Sequence, residues 1–210
     1  MSTLPESFVT VKNEAHTEFE EKRSVFLGHV RRCDSEEEAL SFVKEIKKEY
    51  ADATHNVYGY SINGGILARY SDDGEPQGTA GMPVLDTIRK SGVDNVCVVV
   101  TRYFGGTLLG AGGLVRAYSH SASISIEEAG IARYEPYSVY RLKCGYSEYQ
   151  KYSSYFSNIN ALIDDTVFDA EVTVIFSIKR RFASEVLEKI REMSYGRDVP
   201  EFVEERFDYR

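Results

Sequence analysis

Residues 96–114 read VCVVVTRYFGGTLLGAGGL, and this stretch carries the strongest structural signal in the chain. The run Val96–Val100 is apolar and rich in β-branched residues, as in a buried strand. Five glycines follow, and apolar residues then recur at helical spacing. The pattern predicts a strand, a glycine-rich turn and a helix from about Gly113 to Ala129. Such a turn brings backbone N–H groups to a helix N-terminus, where anions bind.

The net charge of the 210-residue chain is −8. Residues 1–132 contain 13 basic and 19 acidic residues, and residues 133–210 contain 12 and 14. Neither part has the overall basic excess of a typical nucleic-acid binder, although local basic patches are compatible with this charge. The sequence has no apolar run of membrane-spanning length, and its three cysteines are far apart. We therefore expect a cytoplasmic protein that does not associate with membranes.

The second part of the chain predicts a domain of its own. From about residue 133 the pattern is β-α-β-β-α-β, which is typical of a ferredoxin-like fold. Its first helix is predicted from Ser147 to Ile159, with Ser147 and Gln150 forming a capping box. The Asp164–Asp165 pair predicts a bulge or an edge position in the following strand. We place the two domains at residues 1–132 and 133–210.

The glycine stretch is the first candidate site. It offers backbone N–H donors to a phosphate, with Arg102 and Arg116 nearby in sequence; the glycines are Gly105, Gly106, Gly110, Gly112 and Gly113. The stretch is neither a Walker loop nor a Rossmann fingerprint. A purely structural interpretation is open as well, because glycines permit tight turns and close helix–sheet approach.

The Arg102-Tyr103-Phe104 triplet has two interpretations. An arginine beside two aromatic rings can hold a phosphate while the rings stack on bases. Alternatively, the rings pack inside and the guanidinium donates hydrogen bonds to loop carbonyls. We prefer the second interpretation but keep all three residues in the candidate phosphate or nucleic-acid site.

The segment Asp72-Asp73-Gly74-Glu75-Pro76 is a turn-rich acidic loop and forms a second candidate motif. Three carboxylates this close together can hold Mg²⁺, which binds oxygen ligands. A solvated turn is the preferred interpretation. We assign no metal ligand, no cofactor and no catalytic residue, and we expect a binding protein rather than an enzyme.

A tyrosine stripe gives another alternative. Four tyrosines recur at intervals of three along the predicted helix of the second domain; they are Tyr146, Tyr149, Tyr152 and Tyr155. An exposed stripe of this kind suits a protein-recognition surface. Packing against the neighbouring domain is the preferred interpretation.

Three segments carry a family resemblance. Residues 98–110, VVVTRYFGGTLLG, resemble the signature of the IMPACT family, which includes bacterial YigZ-type proteins. Residues 70–83, YSDDGEPQGTAGMP, resemble its second hallmark, and residues 20–26, EEKRSVF, resemble a third segment of the bacterial members. The two longer motifs are mutually ordered, so the match is specific.

This resemblance implies an α+β protein. Its N-terminal domain would be like the second domain of ribosomal protein S-five, and its ferredoxin-like C-terminal domain like the last domain of elongation factor G. The resemblance also implies a link to translation regulation. Eukaryotic relatives act through an additional N-terminal domain, so their partner is not expected for this chain.

From these observations we expect a cytoplasmic protein that binds RNA, the ribosome or translation factors through the glycine stretch. One alternative is an enzyme that holds a phosphorylated ligand at the glycine loop and Mg²⁺ at Asp72–Glu75. Another is a protein-interaction adaptor that uses the tyrosine stripe. The oligomeric state is not assigned.

Overall fold

The computed structural model describes residues 7–209, and the chain forms two compact units that divide after Arg133. The predicted boundary lies one residue earlier. Each unit has a hydrophobic core of its own. No helix within residues 7–209 is both long enough and apolar enough to cross a membrane.

The first unit is built on a five-stranded antiparallel sheet in the order β2-β3-β6-β4-β5. The strands of the unit are β1 Phe8–Val11, β2 Ala15–Glu21, β3 Ser24–Arg32, β4 His55–Ile62, β5 Leu67–Ser71 and β6 Val96–Tyr103. The helices are α1 Glu36–Glu49, α2 Gly81–Ser91 and α3 Ala111–Ala129.

Strand β6 is the middle strand of this sheet and is covered on both faces, which explains its unbroken apolar sequence. Its alternate residues enter two different cores. Val96, Val98 and Val100 pack with α2 and α3, whereas Cys97 and Val99 pack with α1. The sheet therefore lies between α1 on one side and α2 with α3 on the other.

The predicted strand, glycine turn and helix are all present. Helix α3 begins at Ala111, two residues before the predicted start at Gly113, because glycines 112 and 113 both adopt helical backbone. It ends at Ala129, where Gly130 has a positive φ of 69° and cannot continue the helix.

The second unit has the strand order β10-β7-β9-β8, with every pair antiparallel. Its elements are β7 Ile131–Cys144, α4 Tyr146–Asn158, β8 Leu162–Phe168, β9 Val172–Lys179, a 3₁₀ turn at Arg180–Phe182, α5 Ala183–Met193 and β10 Glu201–Asp208. This order confirms the predicted ferredoxin-like plan. Strand β8 lies at the edge of the sheet, and its register shifts between Ile163 and Asp165, as the aspartate pair indicated.

The predicted capping box of α4 was wrong. The helix is preceded by Gly145 and has no side-chain cap; the hydroxyl of Ser147 donates to Glu148 instead of capping.

In the tyrosine stripe, Tyr152 is fully buried in the core of this unit and donates a hydrogen bond to Asp198 over 2.7 Å. Tyr149 and Tyr155 are partly buried against the same core, whereas Tyr146 is exposed. The stripe is therefore not the continuous exposed surface that an adaptor needs.

Candidate functional site

The two main sequence motifs meet at a buried ion pair. Nη1 of Arg102, at the end of β6, donates to Oε1 of Glu75 in the acidic loop over 2.6 Å, and the two side chains are 6% and 4% exposed. Ser24, from the third motif, accepts a hydrogen bond from Nη2 of Arg102 over 3.2 Å. Tyr118 of α3 donates to the same Glu75 oxygen over 2.7 Å. Three segments distant in sequence thus meet at one carboxylate, and Arg102 connects Ser24 as a fourth.

This buried cluster of hydrogen-bonded side chains stabilises the fold. Burial, and secondarily the Glu75 carboxylate, raises the pKa of Tyr118 well above its usual value. Its hydroxyl therefore stays protonated and can donate a hydrogen bond to Glu75. A buried carboxylate needs such partners to offset its desolvation. The guanidinium of Arg102 also lies 5.5 Å from the ring centroids of Phe26 and Phe104.

The prediction that Arg102 faces a phosphate is therefore corrected. Its guanidinium points into the fold, as the preferred interpretation held, but it donates to a carboxylate and a hydroxyl rather than to loop carbonyls. The two aromatic residues differ. Tyr103 is partly buried and donates its hydroxyl to Asp52 over 2.9 Å, whereas Phe104 is 45% exposed.

Asp72 stabilises the start of α2. Its Oδ1 accepts hydrogen bonds from the N–H groups of Ala80 and Gly81 over 3.1 and 2.8 Å, and its Oδ2 accepts one from Gly78. The residue at the N-cap position, Ala80, has no side-chain acceptor. Asp72 thus supplies the cap from a distant position in sequence, and its charge complements the helix dipole.

The other residues of the acidic loop also serve the fold. Asp73 accepts hydrogen bonds from the backbone N–H of Asn56 and from Nζ of Lys47. Gly74 has a φ of 89°, in the left-handed region that favours glycine. The carbonyl of Pro76 accepts a hydrogen bond from the hydroxyl of Thr79.

These contacts remove the basis of the Mg²⁺ hypothesis. All three carboxylates of the loop are engaged by protein donors, and Glu75 is also buried. Across residues 7–209 there is no group of three or more histidine, cysteine or acidic side chains arranged to hold a metal ion.

The glycine loop, residues 104–110, packs against the turn between β2 and β3. A Cβ atom on Gly105 would lie 2.0 Å from the carbonyl carbon and oxygen of Arg23, so only glycine fits there. The N–H of Gly105 donates to the hydroxyl of Ser24 over 3.2 Å. Gly106 and Gly110 have φ angles of 79° and 74°. The structural interpretation of the glycines is therefore correct at these positions.

The anion-site interpretation retains support at the start of α3. Gly110 precedes the helix without a side-chain cap, and the first turn holds no acidic residue. Gly112 and Gly113 lie in this turn. A Cβ on Gly112 would lie 3.6 Å from Nη1 of Arg116, so this guanidinium lies beside the helix N-terminus.

Three exposed cations adjoin the glycine loop, and we call them the basic surface: Lys22, Arg23 and Arg116. None has an ion-pair partner among the described residues 7–209. Lys22 and Arg116 line one cleft of about 240 Å³, which Glu21 also lines. Arg23 is the next residue of the same turn, and its backbone lies against Gly105 of the glycine loop.

Sequence reasoning selected Arg116, Arg102 and Glu75 but missed four other residues of the site: Lys22, Arg23, Ser24 and Tyr118. Lys22, Arg23 and Ser24 lie in the segment EEKRSVF, whose resemblance was the only available signal. Tyr118 was visible only as a residue at helical spacing, and no local pattern indicates that it contacts Glu75.

Two family models match the chain. The Impact N-terminal domain matches residues 22–126, and a domain of unknown function, DUF1949, matches residues 142–197. The basic surface, the acidic loop and the glycine loop all lie within the first match.

Individual relatives extend this similarity. The chain is 31% identical to the IMPACT family member YigZ of Escherichia coli, over 92% of this chain and 93% of that protein. It is 44% identical to the IMPACT family member YvyE of Bacillus subtilis, over 60% of this chain and only 58% of that relative. A crystal structure titled as that of a hypothetical protein is similar at 29% identity with a TM-score of 0.62, covering 96% of this chain and 99% of that one.

Proposed function

Because the chain belongs to the IMPACT family, we propose that it acts in translation regulation by binding RNA of the translation machinery. The RNA-binding site is the basic surface with the adjoining N-terminus of helix α3. The buried Arg102–Glu75 ion pair stabilises the backbone that carries this site and does not contact the RNA.

The observation that carries this proposal is the conformation of the basic turn. Lys22 and Arg23 have φ angles of 49° and 65°, so both lie in the left-handed region. A two-residue hairpin of this type favours Asn-Gly, and each residue with a side chain costs about 1–2 kcal/mol there. No ion pair within residues 7–209 offsets this cost. A turn that presents two cations in strained backbone suits an external anionic partner.

The N-terminus of α3 supports the same partner. Its free N–H groups carry a partial positive charge, and Arg116 places a full positive charge beside them. These like charges repel each other until an anion binds between them. A phosphate accepts hydrogen bonds from both groups, which makes the RNA backbone a suitable ligand.

The experiment is a titration of the purified, nuclease-treated chain with a fluorescently labelled oligoribonucleotide of mixed sequence, at several salt concentrations. Binding should weaken steeply as salt increases, since bound cations release counterions from phosphates. Arg116→Ala and Lys22→Ala should each weaken binding and reduce the salt slope by about 1.

The matched control is Lys44→Ala, which removes one exposed charge from α1 on the opposite side of the sheet. This variant should bind like the unmodified chain. The proposal fails if the unmodified chain binds no RNA at low salt, or if Lys44→Ala weakens binding as much as Lys22→Ala.

A further inference from the structure

Phe104 is an exposed aromatic residue on an anchored backbone. Its ring is 45% exposed, while its N–H donates to Oγ1 of Thr54 over 3.0 Å. The next residue, Gly105, is fixed against Arg23 and bonded to Ser24. The guanidinium of Arg102 lies 5.5 Å from the centroid of the Phe104 ring. The ring is therefore held in place although much of its surface faces solvent.

The position of this ring relates it to the basic surface. Phe104 precedes Gly105, whose backbone lies directly against that of Arg23. An aromatic ring beside unpaired cations is the combination by which proteins bind single-stranded nucleic acids, with the cations on the phosphates and the ring on a base.

On the basis of the proposed function, we propose that Phe104 stacks on an unpaired base and that the RNA is single-stranded where it meets the basic surface. A duplex hides the faces of its bases within the helix, so an exposed ring cannot stack on them without unpairing. In a single strand every base has a free face. The stacking is therefore tolerant of sequence.

A protein partner is the competing occupant, because Leu108 on the same loop is 82% exposed. The charges favour RNA. The three cations of the basic surface are exposed and have no ion-pair partner among residues 7–209, and a chain of phosphates complements several such cations at once. Leu108 provides a matched control, since it is an exposed apolar side chain on the same loop without a ring.

The test measures fluorescence anisotropy of the full chain with a single-stranded oligouridine and with an RNA duplex of equal length. The variants are Phe104→Ala, Phe104→Leu, Phe104→Tyr and Leu108→Ala. Phe104→Ala and Phe104→Leu should weaken binding of the single strand by about 5- to 150-fold and change duplex binding little. Phe104→Tyr and Leu108→Ala should retain the affinity, and circular dichroism should show each variant folded.

The outcomes separate this inference from the proposed function. If Phe104→Ala leaves single-strand affinity unchanged while Lys22→Ala weakens it, the stacking role is refuted and the proposed function stands. Equal losses on both RNAs, or a loss with Leu108→Ala as large as with Phe104→Ala, also refute stacking on an unpaired base. If the unmodified chain binds neither RNA at low salt, both proposals fail.

Discussion

The guanidinium of Arg102 and the carboxylate of Glu75 lie 2.6 Å apart in the interior of the first unit, although 27 positions separate them in sequence. This contact joins the end of strand β6 to the acidic loop, and Tyr118 adds helix α3 to it. The geometry of the glycine loop and of the basic surface depends on this centre, because Ser24 bonds both Arg102 and the loop.

Replacing Arg102 should destabilise the fold. Arg102→Leu leaves the Glu75 carboxylate buried without its guanidinium partner, and breaking a buried ion pair on one side costs about 3–5 kcal/mol. Urea denaturation should show this loss of unfolding free energy. Arg116→Leu, which removes an exposed guanidinium, should change stability by no more than about 0.5 kcal/mol. A fully stable Arg102→Leu variant would contradict a structural role for the ion pair.

The basic turn should show opposite effects on stability and binding. Replacing Lys22 and Arg23 together by Asn and Gly relieves two left-handed residues and should stabilise the chain by about 1–2 kcal/mol. The same change removes two cations and should weaken RNA binding. Denaturation and anisotropy on one preparation measure both quantities. Replacing both residues by alanine is the control, since it removes the charges but keeps the strain; a stability gain from that variant would disprove the strain argument.

Two glycines of the same motif should respond to alanine with opposite signs. Gly105→Ala places a methyl group 2.0 Å from the backbone of Arg23 and should cost about 2 kcal/mol or more, because backbone must move. Gly112→Ala meets only the end of the flexible Arg116 side chain and should stabilise α3 by up to about 1 kcal/mol. Thermal unfolding of the two variants checks the order. Equal effects would show that the close approach at Gly105 is not constraining.

His29 should make stability depend on pH below neutrality. Burial, and then the nearby His16, lowers its pKa from 6.5 to about 4, and its Nδ1 lies 2.8 Å from Nδ1 of His16. Above pH 6.5 the residue is neutral in both the folded and unfolded states. Between pH 6.5 and 4 only the unfolded state binds the proton, so stability falls as pH falls, by about 3 kcal/mol over this window.

Urea denaturation at several pH values measures this dependence. His29→Gln should flatten the slope between pH 6.5 and 4, whereas His120→Gln, at an exposed position of α3, should leave it unchanged. If His29→Gln keeps the full slope, other groups account for the pH dependence.

Much of the fold could be predicted from the sequence because its signals are local. The apolar run of β6 and the glycines after it predicted the strand, the turn and the helix in order. The alternation of strands and helices after residue 133 predicted the ferredoxin-like plan. The errors lay at helix ends, where the Ser147 hydroxyl bonds Glu148 and Gly145 precedes the helix instead.

The candidate site was predicted less well because its contacts are not local. The sequence by itself determined the elements, the two-unit organisation and the two motifs, since strand and helix periodicity and glycine turns act over a few residues. Only the tertiary structure decided that Arg102 faces inward to Glu75 and that Lys22 and Arg116 line one cleft. Pairing of distant strands brings these groups together. Burial of Arg102 requires a carboxylate that neutralises its charge, and Glu75 supplies it. The exposed cations need no such internal partner and are free to bind an external one.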